Sequence, residues 1–279
     1  MDQEHSLEPL TDYSRLSLNQ ITTNGWNICE AVDGCIRAGI PWIGLWREKV
    51  REYGLANSKR LIAEAGLQVS SLCRGGWFPA GRKEERQARI DDNRRAIEEA
   101  AELGTSVLVL VCGPAPDRDI AAGRAMVEDA LAELLPTAQA AGIALGIEPL
   151  HPMFAADRSV IVTMAEANRL IASFNSASLG VIVDAYHVWW DPDIFAQIRQ
   201  AAGHILGFHI SDWPVPLPDI LLGRAMMGDG LIDLHFLRSA VEMTGYRGPI
   251  EVEIFNRAIW DAPGDEVLDL MKQRYLAWA

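Results

Sequence analysis

Glu148 follows the apolar run Gly146-Ile147 and precedes Pro149, which marks a strand end because proline has no amide to give a ladder. Asp184 closes Val181-Ile182-Val183, with His187 three residues on, close enough for a ligand and a substrate-binding group to share one loop. His209 lies in Gly207-Phe208-His209-Ile210-Ser211-Asp212, where the imidazole can ligate a metal and Asp212 can orient a neighbour or bind substrate. On the last apolar run Glu251 and Glu253 alternate, so a period of two puts both on one face. Glu253 is nearer the C-terminal end of that run and is the ligand of choice; Glu251 is deeper and structural. Singly, each residue has an ordinary alternative as a loop carboxylate, an N-cap or a core histidine. Together, four metal-capable groups at four successive strand ends point to one site, since buried charge without a role is costly. Three oxygen donors and one nitrogen suit a single divalent ion, Mn²⁺, Mg²⁺, Co²⁺ or Zn²⁺, and ligand type leaves its identity open.

The elements that must position these groups alternate along the chain. Short β-rich runs at 15–22, 41–46, 68–73, 106–112, 144–149, 180–184, 205–211 and 250–255 predict eight strands. Longer stretches with apolar residues at three- and four-residue steps, among them 27–38, 84–103, 121–140 and 159–174, predict helices between them. Gly39, Gly66, Gly104, Gly142, Gly203 and Gly245 stand where helices would close through a left-handed cap. Eight strand-helix units fit either a (β/α)8 TIM barrel or a doubly wound open sheet. The spread of candidate ligands over several strand ends favours the barrel, as a single α/β domain over 15–279 behind a polar arm at 1–14.

Composition narrows the function. The chain of 279 residues is 49% apolar and 23% charged, and no apolar run approaches the roughly 18–20 residues of a membrane span. The first fourteen residues lack the regions of a secretory signal, so a cytoplasmic protein is expected. Cys29, Cys35, Cys73 and Cys112 form no Cys-x-x-Cys pair and read as reduced thiols. A net charge of −13 argues against a nucleic-acid partner.

The motifs now in hand resemble those of the xylose-isomerase-like TIM barrels, which include sugar phosphate isomerase/epimerases, tagatose and psicose 3-epimerases, and inosose isomerases and dehydratases. They are Gly-Ile-Glu-Pro-Leu at 146–150, Asp-x-x-His at 184–187, His-x-x-Asp at 209–212, Gly-Asp-Gly-x-Ile-Asp at 228–233 and Gly-Pro-x-x-x-Glu at 248–253. The resemblance implies that Glu148, Asp184, His209 and Glu253 bind the metal, while Glu148 and Glu253 also transfer protons. A divalent cation stabilises the enediolate left when a proton is removed beside a carbonyl, and two carboxylates can take and return that proton. His187 is placed to hold a substrate hydroxyl. The expected activity is that of a metal-dependent isomerase or epimerase on a keto sugar or polyol ketone.

Rival readings differ in what surrounds the metal. A hydride-shift isomerase needs a second metal, and a three-metal endonuclease needs more histidines than the six present, of which His5, His204 and His235 fall away from the strand ends. A lyase using the same enolate chemistry gains a candidate acid or base in His151, three residues after Glu148. Trp46, Trp77, Trp189, Trp190, Trp213 and Trp260 fall in or beside predicted strand-to-helix loops, as do Pro214, Pro216, Pro218, Met226 and Met227. Such a rim suits an aromatic substrate portion or a partner subunit, as in C-glycoside deglycosidase large subunits, and Trp46 and Trp213 are its candidate substrate contacts. The small-molecule partner is a carbohydrate; assembly as a homo-oligomer is expected, or with a small subunit under the lyase reading. Arg224 is the one basic residue of the 213–230 loop, and Asp229 sits within its Gly-Asp-Gly, so an unphosphorylated sugar is expected there. Arg47 and Arg74 stand on early strand ends. A non-catalytic scaffold barrel is the remaining alternative.

Overall fold

Eight apolar runs become eight parallel strands that close on themselves: β1 Leu16–Asn19, β2 Trp42–Trp46, β3 Gln68–Gly76, β4 Val107–Val111, β5 Ala144–Ile147, β6 Leu179–Asp184, β7 Ile205–Ile210 and β8 Ile250–Val252. The computed structural model describes residues 8–279, so most of the predicted arm, His5 included, lies outside the described residues. β1 pairs with β8 through Leu16–Ile250, Ser17–Glu251 and Leu18–Val252, which closes the (β/α)8 barrel and rules out the open sheet.

Strands covered on both faces need apolar side chains throughout, and β4, with Val107, Leu108, Val109, Leu110 and Val111, is buried at every position. The helices follow their sequence signals. Ile28–Ala38 starts at a reciprocal capping box between Asn27 and Glu30, and Ile120–Ala141 starts at Asp119. Gly39, Gly66, Gly104 and Gly142 close their helices with φ of 66° to 79°, a left-handed conformation that a side chain disfavours. Gly203 and Gly245 take positive φ after helices that end at Gln200 and Met243.

Several boundaries differ from the sequence reading; β3 runs on to Gly76 and β5 stops at Ile147. β1 stops at Asn19, whose side chain accepts from the Ile21 N–H and starts the 3₁₀ turn Gln20–Thr23. β8 stops at Val252, and the Ile254 N–H is taken by the Thr22 hydroxyl. The helix read from 159 begins at Met164, because Thr163 and Glu166 form a capping box there. All four cysteines are free thiols; burial pushes Cys35 and Cys112 up to about 12, which makes them packing groups. No helix among the described residues is long and apolar enough to cross a membrane.

Candidate metal centre

Strand register sets the height of each candidate ligand. Asp184 on β6 is paired with His209 on β7, and His209 with Glu251 on β8. Glu253 follows two residues later, on the same face and one pleat nearer the C-terminal rim. Glu148 is the first residue past β5, still tied to β4 by its N–H to Leu110 O at 3.1 Å. One ligand atom from each of Glu148, Asp184, His209 and Glu253 lies within 4.8 Å of the others, and all four residues are buried.

The atoms in this cluster fit a divalent cation. His209 Nδ1 is 3.5 Å from Glu148 Oε1 and 3.6 Å from Glu253 Oε2. Both ring nitrogens and Glu148 Oε1 are buried without a hydrogen-bond partner, a costly state for groups that have no other use. With the His209 imidazole neutral, as a metal ligand must be, the ionised carboxylates of Glu148, Asp184 and Glu253 exceed the one buried guanidinium, that of Arg224, by the two charges a divalent ion cancels.

Electrostatics around the cluster are unequal. Burial raises Glu148 and pushes Asp184 up to about 7, with Arg224 opposing the rise at both. At Glu253 burial acts the same way, but Arg224 and His209 outweigh it and bring the carboxyl down to about 2. Burial disfavours charge on His209, yet Glu251, Glu148 and Glu253 surround the ring and hold its pKa well above the usual histidine range.

Beneath the ring, Glu251 accepts from Asn19 Nδ2 at 2.6 Å, from Ser70 Oγ at 2.7 Å and from Ser71 Oγ at 3.1 Å, and its Oε2 is 3.7 Å from His209 Nε2. Gly44 makes room for it, since a Cβ there would stand 2.0 Å from Glu251 Oε1.

Residues 23–274 match the family described as xylose isomerase-like TIM barrel. This chain belongs to that family. It is similar to the 3-dehydroshikimate dehydratase of Pseudomonas aeruginosa, 28% identical over 241 residues that make up 84% of this chain and 37% of that protein. The chain therefore spans little more than a third of that relative. The 3-dehydro-D-guloside 4-epimerase of Escherichia coli is 28% identical over 211 residues, 70% of this chain and 75% of that one. A solved structure from Sinorhizobium meliloti 1021 superposes with a TM-score of 0.94 at 45% identity, covering 96% of this chain and 99% of the other. Relatives of this xylose isomerase-like barrel are thus sugar-modifying enzymes, a dehydratase and an epimerase among them.

The candidate ligand cluster opens into a cavity of about 140 Å³ whose wall includes Glu148, Glu253, His187, Arg224 and Trp46. A larger groove of about 440 Å³ lies outside the barrel between the helices Ile120–Ala141 and Met164–Phe174, away from all four candidate ligands. Arg224 Nη1 donates to Asp184 Oδ2 at 2.8 Å and to Glu253 Oε2 at 3.1 Å, and its Nη2 lies 3.0 Å from His187 Nε2. His187 Nδ1 accepts the His151 N–H at 3.1 Å, and burial with Arg224 alongside keeps the ring neutral. Trp46 Nε1 donates to Asn19 Oδ1 at 2.8 Å, linking the cavity wall to the donors of Glu251.

Three expected site residues lie elsewhere. Asp212 is buried and accepts from the backbone N–H groups of Trp213, Gly228 and Ile232, so its carboxylate pins the long loop and is not part of the cavity wall. His151 caps a 3₁₀ turn by accepting the Met153 N–H at 3.2 Å, and its ring packs against Trp190 and Trp213. Trp213 packs on Tyr186, Trp189 and His151 and is not part of the cavity wall. The aromatic rim is mostly packing: Trp46 is the one tryptophan on the cavity wall, and Met226 and Met227 are buried in the core. Arg47 is tied to Asp92 and Glu99. Two cavity residues, Phe154 and Arg158, carried no sequence signal, because both fall in an aperiodic turn.

Proposed function

We propose that this chain is a divalent-metal-dependent isomerase or epimerase that acts on a small ketose or related polyol ketone by proton transfer. The observation that carries this reading is the pair Glu148 and Glu253, whose carboxylates flank His209 Nδ1 at 3.5 and 3.6 Å. The metal, held by Glu148, Asp184, His209 and Glu253, would supply Lewis-acid stabilisation of the two oxygens of an enediolate. One of the two glutamates removes the proton next to the carbonyl, and the other returns a proton to the same or the neighbouring carbon. Arg224 holds Glu253 and Asp184 in place and, with neutral His187, offers donors to a substrate oxygen.

A second reading shares the first step. Loss of a hydroxyl at the β position, with a proton supplied to it, would give an unsaturated ketone, and the likeness to a dehydratase favours keeping it. The aryl-glycoside variant of that lyase reading fares worse, since about 140 Å³ is well below the roughly 300–1,000 Å³ of pockets for drug-sized molecules.

The test is incubation of the Mn²⁺-loaded protein in D₂O with ketoses, inososes and cyclic hydroxyketones, read by proton NMR. Deuterium in an isomeric product supports the isomerase, and a new vinyl proton supports elimination. No exchange with any carbonyl substrate sinks both. In a scaffold protein Glu253→Gln would leave its binding intact, whereas here it abolishes exchange.

A further inference from the structure

Three arginines stand on the wall of the cavity, and they are not treated alike. Arg224 is matched by Asp184 and Glu253. Arg74, on β3, and Arg158, in the turn before the helix Met164–Phe174, form no ion pair or side-chain hydrogen bond among the described residues, and Arg158 Nε is buried without a partner. Each guanidinium lies instead over an aromatic ring, Arg74 at 4.5 Å from the centroid of Trp77 and Arg158 at 5.9 Å from that of Phe154. A ring face orients a guanidinium but leaves its N–H donors unused. Burial lowers the pKa of Arg74, Glu48 offsets this in part, and Arg158 and Arg47 lower it further, so two like charges repel across a half-buried wall. In a chain with a net charge of −13 carboxylates are plentiful, as the pairing of Arg47 with Asp92 and Glu99 illustrates. The apolar side chains of Val111, Leu150 and Phe154 share this wall and would strengthen any charge pairing made there.

We infer that Arg74 and Arg158 form an anion subsite, which takes a carboxylate or phosphate group carried by the substrate. This rests on reading the cavity as the active site, and it moves substrate charge to the β3 side of the barrel. The loop after β7 offers little competition: the Gly228 N–H is already given to Asp212, and Asp229 pairs with Arg274. Guanidinium groups bind both oxyanions through paired, charge-assisted hydrogen bonds, so the substrate is a polyol ketone with an acidic group away from its carbonyl.

The test uses calorimetric titration of Mn²⁺-loaded protein with two matched pairs of probes. One pair is a hydroxylated cyclohexene carboxylate and its methyl ester; the other is a ketopentose 5-phosphate and the free ketopentose. The charged member of one pair is expected to bind at least about 10-fold more tightly than its neutral partner, and which pair shows the preference identifies the anion. Arg74→Gln and Arg158→Gln each reduce that preference to under about 3-fold, while Arg74→Lys and Arg158→Lys keep more of it. Uptake of Mn²⁺ by each variant verifies that it is folded. Equal affinity for charged and neutral members in both pairs overturns the subsite, as does a preference untouched in both Gln variants. Because titration reads binding alone, a preference found without proton exchange keeps the subsite and rejects the proposed activity. Exchange found without a preference does the reverse.

Discussion

The Glu251 carboxylate lies 3.7 Å from Nε2 of His209, on the far side of the ring from the Nδ1 that faces Glu148 and Glu253. A histidine that ligates through Nδ1 carries its proton on Nε2, and a carboxylate facing that proton favours this tautomer electrostatically. At 3.7 Å Glu251 makes no hydrogen bond to Nε2, but its charge favours a proton there, so under the proposed metal reading it acts as a positioning residue. Glu251→Ala is expected to weaken Mn²⁺ binding by about 10- to 100-fold, with turnover largely recovered at saturating metal. Gly44→Ala should act in the same direction by displacing the carboxylate. Unchanged metal affinity in Glu251→Ala would mean that the residue only packs.

Arg224 is the counter-ion of Asp184 and Glu253 in the absence of a cation. Arg224→Ala leaves like charges buried together and is expected to destabilise the metal-stripped protein by about 3–5 kcal/mol. Much of that loss should return when Mn²⁺ is added. Urea unfolding with chelator and with Mn²⁺ measures both values, and a loss of the same size in both conditions would contradict the counter-ion role.

Asp184 gives metal uptake a pH dependence. Its pKa, pushed up to about 7 by burial, exceeds the 3.8 of a solvated aspartate, so the folded chain keeps this proton where the unfolded chain has lost it. From this group the metal-stripped fold loses stability as pH rises from about 4 to about 7 and is level above. A metal takes the place of the proton, so binding at pH 6 releases on the order of one more proton than at pH 8. Calorimetry in buffers of different ionisation enthalpy counts these protons, and equal release at both pH values would contradict the assignment.

His151 separates two accounts of the chemistry. Its Nδ1 is engaged in capping the turn Pro152–Phe154, and its ring is packed between tryptophans. His151→Asn preserves an acceptor for the cap and is expected to leave the turnover rate within about 3-fold of the parent chain, with stability changed by about 1 kcal/mol at most. Turnover slowed by about 100-fold or more, with KM unchanged, would return His151 to the catalytic groups.

Most of the barrel and the convergence of its four candidate ligands were legible because they obey local rules. Glu148, Asp184, His209 and Glu253 each end an apolar run, and a parallel barrel turns strand ends into one mouth. What could not be read was the use of groups in the loops. Asp212 carries the same motif spacing as a substrate ligand, but three backbone N–H groups from its own loop take up its carboxylate. Arg158 and Phe154 reach the cavity from a turn that has no period to betray its direction. The donors of Glu251 come from β1 and β3, a pairing that only the closure of the sheet creates, although Ser70, Ser71 and Asn19 inside apolar runs were a hint.

The most direct measurement is calorimetric titration of the metal-stripped chain with Mn²⁺, repeated with Zn²⁺, Co²⁺ and Mg²⁺. The expected result is one ion per chain, with affinity reduced by about 100-fold or more in Asp184→Asn and in His209→Gln, each shown to be folded by circular dichroism. Absence of binding by every divalent ion, or full affinity retained in both variants, contradicts the centre on which the proposed chemistry depends.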